Sequence, residues 1–226
     1  MTHPLDHPIW TALTTRHQAL AEGGVWARRY PTAIAPFADM TEISPRGFAD
    51  LGAMMLGSEI AVLFTPEPVA VPDEFKIVLA EPGEQMIGSP AEVPAGDVEV
   101  LTLGVADAPD MVTLTTLTKP GPFSLRTHEL GTYLGIRVDG QLVAMAGERM
   151  KPAEYTEMSA VCVHPLHRGR GYGQILLSAI ARRIMARGET PFLHLFTSNT
   201  SALALYRRQG MEVRRRLQVT VLQKKA

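Results

Sequence analysis

The chain has 226 residues, of which 46% are hydrophobic and 20% charged, with a formal net charge of −1 and a single cysteine, Cys162. This composition is typical of a folded globular protein. It excludes an internal disulfide, its net charge does not point to nucleic acid or acidic membranes, and no apolar run reaches the roughly 18 residues of a transmembrane helix. The N-terminus has no basic segment followed by an apolar one, so we expect a cytoplasmic protein with neither nucleic acid nor membrane as a partner.

The first hundred residues predict helices and strands but no reactive cluster. Pro8 and Gly23-Gly24 delimit a helix over His7 to Glu22, since proline is favoured in the first turn of a helix and glycine after the last. The other predicted elements here are a helix over Phe48 to Met55 and strands over Glu59 to Phe64, Phe75 to Ala80 and Val98 to Gly104. The histidines of this part are scattered without other ligand types beside them, so we expect no metal site.

From Asp107 onward, strands and helices alternate. Asp139-Gly140, between two apolar runs, is typical of a type I′ hairpin turn. Leu176, Ile180 and Ile184 share one face of a helix over Gly173 to Arg187. The other predicted elements are helices over Asp107 to Leu117, Phe123 to Leu130 and Asn199 to Gln209, strands over Glu157 to Val163 and Phe192 to Phe196, and a last strand or hairpin over Glu212 to Gln223. Strand, helix and strand in succession predict a βαβ crossover, so part of the sheet should be parallel.

The segment VHPLHRGRGYGQ, Val163 to Gln174, joins a strand to the N-terminus of a helix. Unpaired N–H groups and the positive end of the helix dipole favour an anion at such a place. Its glycines let a phosphate approach the backbone, and Arg168 and Arg170 add positive charge. The spacing matches neither a P-loop nor a dinucleotide-binding turn. A plain tight turn is the alternative to a phosphate site.

Two motifs occur in order in this part of the chain. Residues 168–173, RGRGYG, match the pattern [QR]-x-x-G-x-[GA]. Asn199, Ala202, Tyr206 and Gly210 fit N-x-x-A-x-x-x-Y-x-x-x-G-F, although Met211 replaces the phenylalanine. Together they resemble the coenzyme A signature and the second motif of the GNAT N-acetyltransferase superfamily. The segments TEMSAVCVHPLHRGRGYG and PFLHLFTSN look most like the branch that includes glycine N-acyltransferases.

The resemblance implies an α/β fold, with a mixed, mainly antiparallel sheet, flanking helices and a splayed parallel strand pair. It covers residues 107–226, so residues 1–106 are expected to be an N-terminal α/β extension or a degenerate copy of the same fold.

The resemblance also implies acetyl-CoA as the cosubstrate and assigns its contacts. The pantetheine arm would bind the backbone of Val161, Cys162 and Val163, with the N–H of Val163 polarising the thioester carbonyl. Amides of the glycine-rich turn would hold the pyrophosphate, and Asn199 would contact the cofactor or water as well as cap its helix. The turn residues are Arg168, Gly169, Arg170, Gly171, Tyr172, Gly173 and Gln174.

The catalytic candidates are an acid and two rival bases. Tyr206 occupies the position of the family's acid, with packing on the core as the alternative. Glu157 has the offset of the base in the histone-acetylating branch, although a solvated carboxylate at a strand end is an equal alternative. His194 is the rival base, and a satisfied core histidine is the alternative there. Cys162 lies in an apolar strand, so we expect a buried structural thiol.

These residues predict N-acetyl transfer from acetyl-CoA to a primary amine by direct attack, without a covalent enzyme intermediate. The main alternative is a non-catalytic domain that binds acyl-CoA as a sensor or partner module. A nucleotide- or phosphate-binding protein is a third possibility, which the spacing of the Arg-Gly run disfavours. The acceptor amine cannot be identified from the sequence.

Overall fold

The computed structural model describes residues 3–225, in which five α-helices and several single 3₁₀ turns accompany eleven strands. The helices are α1 (Pro8–Thr14), α2 (Pro45–Met54), α3 (Ala108–Thr118), α4 (Tyr172–Met185) and α5 (Thr200–Arg208). The strands are β1 (Glu22–Gly23), β2 (Ala27–Arg29), β3 (Ala38–Met40), β4 (Ile60–Thr65), β5 (Phe75–Ile87), β6 (Leu101–Leu103), β7 (Tyr133–Val138), β8 (Gln141–Glu148), β9 (Tyr155–Val163), β10 (Thr190–Phe196) and β11 (Glu212–Lys224). Within residues 3–225, no helix combines the length and apolarity needed to cross a bilayer.

Eight strands form one mixed sheet in the order β4-β11-β5-β10-β9-β8-β7-β6. Only β9 and β10 are parallel, and every other neighbouring pair in this sheet is antiparallel. The predicted fold class is therefore confirmed. Strands β1, β2 and β3 form a separate small sheet.

The sheet runs across the boundary predicted between residues 106 and 107. Strand β5 lies between β10 and β11, and β4 pairs with β11 on the outer side. Residues 1–106 therefore supply three strands, β4, β5 and β6, of the same sheet as the later part. What this N-terminal part contributes to function stays a prediction.

Packing on the two faces of the sheet explains the helix positions. Leu176, Ile180 and Ile184 of α4 are fully buried, as their spacing predicted, and pack with Leu134 and Met158. Burying a leucine or isoleucine stabilises a fold by about 1.5–3 kcal/mol. On the other face, α3 packs over β8 and β9, and the N-terminal segment with α1 packs over β4, β10 and β11.

The predicted helix over His7 to Glu22 is wrong in its second half. Helix α1 ends at Thr14, and a 3₁₀ turn and strand β1 follow. The hydroxyl of Thr14 donates to the Trp10 carbonyl at 2.8 Å, a local bond of the kind that competes with helix continuation. His17 is held in the core by Tyr30 and the Leu130 carbonyl, so the chain turns there.

Two further local predictions had different outcomes. The segment Phe123 to Leu130 forms only a 3₁₀ turn over Thr127–Leu130, because the Thr127 hydroxyl accepts from the Ser124 N–H before a helix can start. The hairpin is confirmed, since Asp139 and Gly140 have φ of 50° and 80°, as a type I′ turn requires.

Candidate active site

The parallel strands β9 and β10 part soon after they meet. Their pairing joins Thr190, Pro191 and Phe192 to Tyr155, Thr156 and Glu157, and it stops there. Beyond it, β9 stays paired to β8 and β10 stays paired to β5. Residues 158–163 and 193–196 therefore face each other across a gap that no strand fills.

A bulge at Ala160 shapes the β9 side of this gap. Ala160 has φ of 54°, in the left-handed region that non-glycine residues rarely adopt. The β9 segment from Ser159 to Cys162 has one residue more than the β8 segment from Met145 to Gly147 with which it pairs. Strain of this kind costs roughly 1–3 kcal/mol and persists only where the surroundings impose it. Sequence reasoning missed the bulge, since alanine carries no signal for it.

The hydrogen-bond direction of β9 decides which backbone groups are available. The N–H of His164 donates to the Val143 carbonyl of β8 at 2.7 Å. Because successive residues of a strand point their N–H and C=O groups to opposite edges, those of Val163 point into the gap. Cys162 precedes His164 by two residues, so its N–H and C=O groups face β8 as those of His164 do. Val161 and Val163 therefore fit the predicted backbone contacts, and Cys162 does not.

The gap opens into a cleft of about 670 Å³. Eight of the predicted site residues line it: Val161, Cys162, Val163, Arg168, Gly173, His194, Asn199 and Tyr206. The other predicted residues do not line it: Glu157, Gly169, Arg170, Gly171, Tyr172 and Gln174. Side chains from the first part of the chain complete the wall: Phe37, Val62, Phe64 and Leu79.

The glycine-rich turn leads from this cleft into α4. Gly169 and Gly171 have φ of 77° and 80°, and Gly171 is the N-cap residue, where it offers no side chain to the helix N–H groups. Among residues 3–225, the N–H groups of residues 169–173 have no hydrogen-bond partner, whereas that of Gln174 donates to the Gly171 carbonyl at 3.0 Å. Arg168 and Arg170 are exposed. The turn therefore offers free donors to an anion, with Gln174 as the exception.

Tyr206 lies on α5, and Asn199 lies just before this helix, at the β10 side of the cleft. Asn199 caps the helix, since its Oδ1 accepts from the Ala202 N–H at 3.2 Å. Burial raises the pKa of Tyr206 to about 12, so its hydroxyl stays protonated near neutral pH. No other group of residues 3–225 hydrogen bonds to that hydroxyl, which leaves its proton available to a ligand in the cleft.

Glu157 is fully buried behind the cleft wall, in contrast to the predicted solvated or amine-facing carboxylate. Its two oxygens accept from Arg149 Nε at 2.7 Å and Nη2 at 2.6 Å, and His194 Nδ1 lies 2.6 Å from Oε1. Burial by itself raises the pKa of Glu157, but Arg149 and His194 outweigh it and hold the pKa at about 2. This geometry does not fit a base that takes a proton from the amine, because the carboxylate is both inaccessible and weakly basic.

His194 lines the cleft, and its hydrogen bonds fix it as a neutral ring. The Gln85 amide accepts from Arg214 Nη1 at 2.8 Å and donates to the Leu5 carbonyl at 2.9 Å, so its orientation is determined. Its NH₂ group therefore also donates to His194 Nε2 at 3.0 Å, and His194 Nδ1–H donates to Glu157. Burial lowers the pKa of His194, and Glu157 offsets part of that shift.

Sequence reasoning missed most of this network. In the run Arg214 to Arg216, Arg214 bonds Gln85 and Asp6, Arg215 bonds Asp6, and Arg216 pairs with Glu84. Gln85 lies 109 residues from His194 and 129 from Arg214 along the chain. No local pattern could have indicated these contacts.

The thiol of Cys162 is buried, and burial raises its pKa to about 11. It is therefore not a thiolate near neutral pH, as a nucleophile would have to be. This agrees with the predicted structural role of Cys162.

Comparison with known proteins places this geometry in a family. The family described as FR47-like protein matches residues 133–219. The chain is 38% identical over 101 residues to N-alpha-acetyltransferase RimI of Mycobacterium tuberculosis and 37% identical over 101 residues to an uncharacterized protein of Mycobacterium leprae. Each match covers 41% of this chain. The chain spans 62% and 27% of the lengths of these two relatives.

Solved structures match over the full length. A putative GNAT-family acetyltransferase of Novosphingobium aromaticivorans is 37% identical, with a TM-score of 0.90 and 100% of both chains covered. A GCN5-related N-acetyltransferase of Kribbella flavida, 17% identical, covers 97% of this chain and 96% of its own with a TM-score of 0.65, and so supports the fold alone. The narrower resemblance to glycine N-acyltransferases stays a prediction. The full-length match at 37% identity shows that the chain belongs to the GNAT family.

Proposed function

We propose that the chain transfers an acetyl group from acetyl-CoA to a primary amine by direct attack inside the cleft between β9 and β10. One observation carries this proposal. The unpaired edge of β9, both ends of the turn with free N–H groups (Arg168 and Gly173) and Tyr206 all line the same cleft. An extended arm with a diphosphate at one end and a thioester at the other has the shape and chemistry to contact all three.

The residues of this chain fit acetyl-CoA as follows. The backbone of Val161 and Val163 would bind the extended arm as a missing strand, and the free amides of residues 169–173 would bind the diphosphate. Arg168 and Arg170 add positive charge beside those amides. At Gly169 and Gly171, no atom lies within 4 Å of where a Cβ would stand, so the space beside the turn is open.

Acetyl-CoA supplies an activated carbonyl, and the chain supplies the groups that direct the attack. The N–H of Val163 would stabilise charge that develops on the carbonyl oxygen. Tyr206 would donate its hydrogen to the departing sulfur. In this proposal His194 faces the amine and Glu157 is a positioning residue that holds the ring through Nδ1. His194 Nε2 can take a proton only when Gln85 releases it.

The charge at the turn provides the test. We expect Gly171→Asp to weaken acetyl-CoA binding at least about tenfold, because a carboxylate there repels the diphosphate. Gly171→Asn is the matched control, since asparagine has the same size, tolerates the same backbone and lacks the charge. Titration calorimetry with acetyl-CoA, beside thermal melts, measures both effects.

Gly188→Asp controls for backbone strain. Gly188 has φ of 75° and equally open surroundings, but it lies after the other end of α4. Equal acetyl-CoA affinity of the Gly171→Asp and Gly188→Asp variants would refute the assignment of the turn.

Activity is measured by release of the CoA thiol in the presence of an amine panel. Thiol release that depends on the amine supports acetyl transfer. Tight acetyl-CoA binding without amine-dependent release from any of the panel would instead favour the alternative of a non-catalytic acyl-CoA-binding module.

A further inference from the structure

Arg149 presents one free guanidinium nitrogen to the cleft. Its Nε and Nη2 atoms are held by Glu157, whereas Nη1 has no hydrogen-bond partner among residues 3–225. Arg149 is only 9% exposed, yet it lines the cleft. Nη1 lies 4.0 Å from where a Cβ of Gly121 would stand, so it faces the loop that follows α3. Because Arg149 lines the cleft, a ligand there that carries a hydrogen-bond acceptor can reach Nη1.

The charge of the cleft selects the kind of ligand. Lys119, Arg149 and Arg168 line it, and no aspartate or glutamate of residues 3–225 does. Glu157 lies behind Arg149 and is covered by it. An acceptor with several positive charges, such as a polyamine, would find no carboxylate to bind. An acceptor with a carboxylate would find Nη1, since a guanidinium is the side chain best suited to that group.

An aromatic wall connects this donor to His194. The Arg149 guanidinium carbon lies 4.5 Å from the centre of the Phe37 ring, Phe37 lies 5.6 Å from Phe64, and Phe64 lies 4.5 Å from the His194 ring. The same side of the cleft is otherwise lined by aliphatic side chains: Val62, Leu79, Val219 and Val221. A carboxylate-binding group, an apolar surface and the histidine proposed to face the amine therefore lie along one wall.

We infer that the acceptor is an apolar amino acid, whose carboxylate binds Arg149 Nη1 and whose side chain packs on Phe37 and Phe64. This inference rests on the proposed acetyl transfer and narrows its substrate. Glu157 positions Arg149 for this contact. It binds Nε and Nη2 and so fixes the plane of the guanidinium, which leaves Nη1 for the ligand.

The test compares acceptors that differ only in the carboxylate. L-phenylalanine, L-phenylalaninamide and phenethylamine share the apolar body, and spermidine tests the polycation. Thiol release is measured for each, with kcat/KM expressed per unprotonated amine so that differences in amine pKa cancel. A charged hydrogen bond at a buried site predicts a preference for the acid over the amide of roughly 10- to 100-fold. Equal values, or a preference for the amide, phenethylamine or spermidine, would overturn the inference while acetyl transfer still stands.

Binding without chemistry separates the two proposals. With CoA present, N-acetyl-L-phenylalanine should bind at least about tenfold more tightly than its amide by titration calorimetry. If the acid binds in this way but acetyl-CoA is never consumed, the inference about the carboxylate site stands and the proposed function fails. Equal binding of the acid and the amide counts against the carboxylate site whatever the activity.

Two variants assign the preference to a residue. Arg149→Lys keeps the charge and removes the fork, and it should reduce the preference for the acid. Lys119→Gln removes the exposed cation of the same cleft and should leave the preference in place. If the preference for the acid over the amide is lost in Lys119→Gln and kept in Arg149→Lys, the carboxylate does not bind Arg149 and the assignment is overturned. The wild-type acceptor comparison remains decisive if Arg149→Lys does not fold.

Discussion

Replacing Glu157 by glutamine removes the charge from a fully buried ion pair and leaves its size unchanged. Glu157 is 0% exposed, and Arg149 binds both of its oxygens within 2.7 Å. Breaking such a pair leaves Arg149 as a buried charge without its partner, which costs roughly 3–5 kcal/mol. For a chain of this length that corresponds to a melting temperature lower by roughly 10 °C. Chemical denaturation followed by circular dichroism measures this loss.

Activity of the same variant distinguishes positioning from base catalysis. With a pKa of about 2, Glu157 stays ionised from pH 5 to pH 9, so its loss should lower kcat by a factor that does not change with pH. If Glu157 took the proton from the amine, the defect would shrink as pH rises, because more of the amine is then already neutral. A defect that disappears at high pH, or a variant as stable as the wild type, would refute the reasoning.

The Arg126–Glu129 pair provides the matched control. Its fork has nearly the same distances, 2.6 and 2.9 Å, but it lies at the surface. Glu129→Gln should leave stability and activity almost unchanged, because solvent screens the pair. A comparable loss in both variants would show that burial is not the cause.

Tyr206, His17 and the N-terminal strands can each be tested by a single change to the chain. Tyr206→Phe should lower turnover by about 10²-fold, the lower end of the range for acid–base groups, with acetyl-CoA affinity nearly unchanged; wild-type turnover would reduce Tyr206 to a packing residue. Burial and the nearby Lys151 lower the pKa of His17 to about 4, so the unfolded chain binds a proton at this residue between pH 6.5 and 4 that the folded chain does not bind. His17 should therefore contribute roughly 3 kcal/mol to the stability that the wild type loses as pH falls through this range, and the stability of His17→Gln should fall by that much less. Denaturation midpoints at several pH values decide between these outcomes. A chain shortened to begin at Gly104 loses β5 from between β10 and β11, so it should neither melt cooperatively nor bind acetyl-CoA; a sharp melt of that fragment would contradict the continuous sheet.

Local signals in the sequence were sufficient for much of the second part of the chain. The spacing of Leu176, Ile180 and Ile184 predicted the buried face of α4, and Asp139-Gly140 predicted the hairpin. The glycines at 169 and 171 predicted a turn with free amides. Each of these features depends on backbone torsions or on residues within two or three helical turns, so neighbouring residues carry the information.

Tertiary structure alone decided the centre of the site. The insertion of β5 between β10 and β11 brings Gln85 to His194, and the bend after β8 brings Arg149 across both oxygens of Glu157. A strand sequence shows that Glu157 alternates with apolar residues, but it does not show whether its side chain meets solvent or a buried guanidinium. That depends on which segments pack over the strand, and those segments include Leu5 and Phe37 from more than a hundred residues away. Because charge pairing and burial are set by such distant contacts, the protonation states of Glu157 and His194 follow from the fold and not from the motif.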